Sequence, residues 1–189
     1  MAKHTMDMVL EYAQVFEQNM DKGDPAHNEK FMRDLAKSGG QTKVNCYFTS
    51  ESQIADLVAA GFNRMALNPR TGQEVDRIKS GNAEFGLGKY ITLKRKFSDI
   101  REIKDRKTGE FKEIEFGGLP KVVDLRNYPE KRMWSFEEDG ALGNGTEAKV
   151  MFDLYKESTL RLEAVGVTKL VEYEQNAGGN PDAELFKVA

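Results

Sequence analysis

Glu113, Glu115 and Asp124 fall within one short β-rich span, the residue type and spacing that would hold a divalent cation for metal-assisted hydrolysis. Glu113 and Glu115 also alternate around Ile114 between Phe111 and Phe116, and the solvated outer face of a strand produces the same pattern without chemistry. Gly143-Asn144-Gly145-Thr146-Glu147-Ala148 matches the G-x-G-x-x-A form of the dinucleotide fingerprint, which works only between a strand and a helix whose N-terminus receives the pyrophosphate. Ala148 to Tyr155 is patterned as a strand, so a tight turn is expected there instead. There is no Walker A pattern. His4 and His27 are the only histidines and Cys46 the only cysteine, too few for the usual zinc spacings, and no Ser or Cys has an evident base partner. No catalytic residue, metal ligand or cofactor is therefore assigned.

A different chemistry is suggested where cations and aromatic rings interleave. From Lys89 to Lys107 eight basic residues stand against three acidic ones in a chain whose formal net charge is −3. Alternation through Tyr90 to Phe97 puts Ile91, Leu93 and Phe97 on one face and Tyr90, Thr92, Lys94 and Lys96 on the other, with Arg95 between the two lysines. Neighbouring strands add Lys43 with Tyr47, Lys149 with Tyr155, and Arg161, and the following hairpin adds Lys104, Arg106 and Lys107. Such a surface suits single-stranded nucleic acid, because cations track phosphates while exposed bases stack on rings. An ordinary charged outer face, with tyrosines packed at strand edges, explains the same pattern. Lys131-Arg132-Met133-Trp134-Ser135-Phe136 is a second basic-aromatic cluster in a loop or short strand, where Trp134 is a candidate for stacking or for the core. Cys46 reads as a small core residue between Val44 and Phe48.

These candidates have to be held by a mainly β framework. Met8 to Phe16 is read as a first strand, and Phe31, Met32 and Leu35 as a short helix in an insertion that ends at Gly39-Gly40. Thr42 to Phe48 alternates as a half-buried strand. Ser50-Glu51-Ser52-Gln53 has capping-box spacing ahead of the Ile54, Leu57 and Val58 stripe, which Gly61 closes. Residues 62–88 read as a long connecting excursion, and Asp105 to Gly109 as a hairpin tip with Phe111 to Phe116 returning. Strands over Lys121 to Leu125, Ala148 to Tyr155 and Leu160 to Tyr173 complete a five- or six-stranded OB-like barrel with one or two short helices and long loops, since closure removes exposed sheet edges. The chain divides as one domain over 1–173, with insertions near 20–40 and 62–88, and a loose, mildly acidic tail over 174–189. The single cysteine, the lack of a signal-peptide pattern after Met1-Ala2-Lys3-His4, and the lack of any long apolar run favour a cytoplasmic protein without a membrane span.

The order of segments carries a resemblance. Val15-Phe16-Glu17-Gln18-Asn19 comes first, then Gln41 to Phe48 with the Ser50 helix. Gly86-Leu87-Gly88-Lys89 through Phe97, Val122-Val123-Asp124, Ala141-Leu142-Gly143-Asn144-Gly145 through Val150, and Leu160 through Tyr173 follow. This succession resembles the single-stranded DNA-binding proteins of tailed bacteriophages. The resemblance implies a non-enzymatic OB-fold that coats single strands during phage DNA replication and recombination in the host cytoplasm. It places Tyr90 to Phe97 in the cleft, and the C-terminal tail against replication proteins. A homodimer stays open, as do two other classes of function: a metal-dependent nuclease on a small β-fold, and a phage interaction module that never meets nucleic acid.

Overall fold

The computed structural model describes residues 2–69 and 87–173. The expectations for the central part of the 62–88 excursion and for the tail after Tyr173 lie outside these residues. The chain is mainly β, with ten strands and three α-helices among the described residues in the order β1 (Ala2–Gln14), α1 (Lys30–Lys37), β2 (Gln41–Phe48), α2 (Glu51–Ala59), β3 (Asn68–Pro69), β4 (Lys89–Lys96), β5 (Ile100–Lys104), β6 (Phe111–Glu115), β7 (Lys121–Asp124), β8 (Arg132–Met133), α3 (Phe136–Asp139), β9 (Glu147–Lys156) and β10 (Thr159–Lys169); eight strands form the main sheet, and β5 and β6 form a separate ribbon.

Five strands close into a ring. β1 pairs antiparallel with β2 and with β9, β2 pairs antiparallel with β4, β9 pairs antiparallel with β10, and β10 meets β4 in parallel at Arg161 and Lys94. In chain order of the ring strands this is 1-2-3-5-4-1 with the third and fifth parallel, the connectivity of an OB-like fold. Inward alternation fills the ring: Met8 and Leu10 from β1, Val44, Cys46 and Phe48 from β2, Ile91 and Leu93 from β4, Val150 and Phe152 from β9, and Leu162 and Val165 from β10 share one apolar core. Burial pushes the Cys46 thiol well above its ordinary range, as expected of an inert core residue.

Local expectations are adjusted at some points and met at others. The first strand starts at Ala2 rather than Met8, because its N-terminal half pairs with β9 as well as packing inward. A capping box does not form at Ser50. The Gln53 side chain instead accepts from the Thr49 N–H and donates to the Asp7 carbonyl, which ties α2 to β1. The Lys131–Phe136 segment holds the short strand β8, as read, and a third helix, α3, follows Trp134 from Phe136. The 143–148 motif is a turn: Gly145 has φ +95°, its N–H bonds Leu10, and β9 follows without a helix. The hairpin forms with its tip at Gly109, whose φ is +71°.

β7 extends the parallel pairing along β10, and it also carries a buried carboxylate. Asp124 accepts from Arg126 through both oxygens (2.9 and 2.8 Å) and from Arg132 at 2.9 Å. The Arg126 hydrogen bond, opposed by burial and reinforced by Arg132, holds its carboxyl below the usual carboxylate range. The unfolded chain then binds this proton more tightly than the folded one. The stabilisation is complete above the ordinary Asp value of about 3.9 and is lost as pH falls through the lower folded value. Thermal melts taken downward from pH 6 are expected to show this loss in the acid limb, and Asp124→Asn to flatten it while lowering stability at pH 6.

Candidate nucleic-acid interface

A groove of about 710 Å³ opens where β4 meets β10. Lys94 and Lys96 reach it from the outer parity of β4 and Arg95 from the inner parity. Arg101 and Phe116 come from the base of the β5–β6 ribbon, Lys156 and Ser158 from the β9–β10 turn, and Arg161 from β10. Among the described residues the lining holds six cations (Lys94, Arg95, Lys96, Arg101, Lys156 and Arg161) against one carboxylate, Asp99. Like charges directly opposite across a ladder repel. Lys94 faces Lys43 in that way, and while Lys43 is compensated by Asp21 at 3.7 Å, Lys94 has no salt bridge among the described residues. Lys96 and Lys156 likewise have none, so three of the groove cations are left to solvent or to an anion.

The aromatic rings are arranged under the arginines. The Arg161 guanidinium lies 5.5 Å from the Tyr155 ring centre and 5.9 Å from that of Phe116, and Arg101 lies 5.5 Å from Phe116. Behind them, Glu163 accepts from Arg161 at 2.6 Å and Arg95 at 3.1 Å, and Asp153 lies 3.7 Å from Arg161. Burial raises the Asp153 carboxyl, and its hydrogen bond to Glu163 and the repulsion between the two raise it further. Burial also opposes ionisation of Glu163, but hydrogen bonds from Asp153 and Arg161 outweigh it and hold that carboxyl low. The Arg95 and Arg161 charges are therefore partly balanced from behind by Glu163 and Asp153. The Tyr155 hydroxyl is buried without a hydrogen-bond partner among the described residues, and burial raises its pKa. Tyr155→Phe is therefore expected to leave stability unchanged or to raise it by up to about 1 kcal/mol, because it removes an unpaid desolvation cost. The thermal midpoint of the two proteins measures this, and a clear loss would show that the hydroxyl is bonded.

Among the residues expected to bind, Lys94, Arg95, Lys96, Tyr155 and Arg161 are brought together here. The others are placed elsewhere. Tyr47 is fully buried, with its hydroxyl donating to Glu11 at 3.1 Å and its ring against Tyr90, so it offers no open stacking face. Lys43 is engaged with Asp21, and Lys149 with Asp7 at 3.0 Å on the outside of β9 and β1. Trp134 is 7% exposed in the core, donates from Nε1 to the Gly140 carbonyl, and is covered by Arg126, so of its two readings the core is the one found and the possible stacking role is not. Lys104, Arg106 and Lys107 lie exposed toward the far end of the ribbon.

The three carboxylates considered for a metal are engaged separately. Glu115 accepts from the Asp99 and Gly117 N–H groups, Asp124 holds its two arginines, and Glu113 is exposed on the ribbon. Sequence reasoning missed Phe116, Lys156 and Arg101 as groove residues. The first two sit at strand ends, where alternation no longer says which way a side chain faces. Comparison with known proteins matches no family model, no curated protein and no solved structure.

Proposed function

We propose that this chain binds single-stranded DNA in the β4–β10 groove, without catalysis and with little dependence on base sequence, and that it coats strands during phage DNA replication and recombination. One observation carries the proposal: among the described residues, six cations against one carboxylate, three of them without a salt bridge, line a groove that also presents Phe116 and Tyr155. The groove runs beside the third ring strand and the turn between the fourth and fifth, the part of an OB-like ring that takes up oligonucleotides. Unpaired lysines bind phosphates without reading bases, and a strand whose bases are exposed can place them on rings as a duplex cannot.

The test is a titration with labelled single-stranded and duplex oligonucleotides over a salt series. If Lys94, Lys96 and Lys156 each neutralise one phosphate, log affinity falls against log salt with a slope of about −2 on single strands. Binding indifferent to salt, or equally tight on duplex, refutes the proposal. Cleavage of the probe on addition of magnesium would favour a nuclease instead.

A further inference from the structure

At the other end of β10 from the groove lies a cavity of about 860 Å³ with the opposite character. Its lining includes Tyr12, Gln14, Asp139, Asn144, Glu172 and Tyr173, and no lysine or arginine among the described residues. Tyr12 is held at φ +50°, a conformation that side chains rarely adopt, with its N–H bonded to Asn144 Oδ1 at 2.8 Å. That backbone leaves the ring 53% exposed at the mouth, and Tyr173 stands 59% exposed beside it. Gln14 Oε1 is buried and accepts no hydrogen bond, and Glu172 makes no salt bridge among the described residues. An unpaired acceptor, an unpaired carboxylate and two open rings together ask for a flat cation rich in N–H donors. An arginine guanidinium is that group, because it stacks on rings while donating in its plane.

We infer that this cavity receives Arg106 from a second copy of the chain. Arg106 stands at the tip of the β5–β6 ribbon, exposed and without a salt bridge among the described residues, next to the exposed Lys107. The ribbon leaves the ring beside the groove and pairs with no other strand among the described residues, so its tip is presented outward. The cavity and the tip are different surfaces of one molecule. Their contact is heterologous, and each copy that accepts a tip still offers its own, so copies join head to tail in a row or a closed ring.

Sedimentation velocity of the full chain, without nucleic acid, tests this apart from strand binding. At low salt the average mass is expected to rise with protein concentration, and to return to that of one chain at high salt as screening removes the charge contact. Arg106→Glu and Glu172→Arg are each expected to weaken association about tenfold or more. Mixing the two restores it, since each then meets an opposite charge, and far-ultraviolet circular dichroism confirms that both are folded. Tyr173→Ala gives a second reading of the cavity without changing charge, and is also expected to weaken association. A chain that stays single at all concentrations, charge-reversed variants that associate like the parent, or a mixture no better than its parts each overturns the inference.

Discussion

Reversing both outward lysines of β4, Lys94→Glu with Lys96→Glu, lowers the affinity for single strands about 100-fold, on a scale of about 1.5 kcal/mol for each charge-assisted contact removed. Both side chains are exposed and neither has a salt bridge among the described residues, so folding loses little when they change. Lys94 even gains, because its repulsion with Lys43 across the ladder becomes attraction. The salt slope carries the more specific information. Loss of two phosphate contacts should flatten it by about 1.4, leaving a weak residual slope from Lys156 and the arginines. Filter binding or fluorescence anisotropy at two or more salt concentrations gives both quantities from one variant. Normal binding by the folded double reversal would move the strand off this face altogether.

What the sequence made legible, and what it did not, follows from where each residue stands on its strand. Alternation in Thr42–Phe48 and Tyr90–Phe97 correctly separated Val44, Cys46, Ile91 and Leu93, which fill the core, from Lys94 and Lys96, which do not. The same parity already turned Arg95 inward with Ile91 and Leu93, although its charge argued for the surface. Tyr47 has outward parity and is nevertheless fully buried, because alternation reports which side of a sheet a residue faces and not whether that side is covered. The closure of the ring was legible only as a count of strands. The parallel meeting of β4 and β10, which makes the groove, joins segments more than sixty residues apart and leaves no local pattern. Trp134 shows the same limit: the indole N–H finds Gly140 only because α3 folds back beneath it.

Arg95→Met is expected to do the reverse of the lysine pair, lowering stability by about 3 kcal/mol while leaving the affinity of the folded protein within about threefold. Arg95 donates to Glu163 at 3.1 Å, to the Leu162 carbonyl at 3.3 Å and to the Gly117 carbonyl at 3.1 Å. These bonds join β4 to β10 and to the segment before β7 at the point where the strands share a single recorded ladder pair, Arg161 with Lys94. Both members of the ion pair have side chains only 16% exposed, so methionine fills the space but leaves part of the Glu163 charge and two carbonyls without their donor. Arg161 still holds Glu163, which places the cost at the lower end of that for breaking a buried pair. Since both terminal nitrogens of Arg95 are already committed within the protein, a strand in the groove meets its charge only at a distance, and a screened charge of that kind is worth well under 1 kcal/mol. Urea unfolding and strand titration on the same preparation separate the two effects. A variant as stable as the parent would show that the ring closes without this residue, and a folded variant that binds 100-fold more weakly would return Arg95 to the strand.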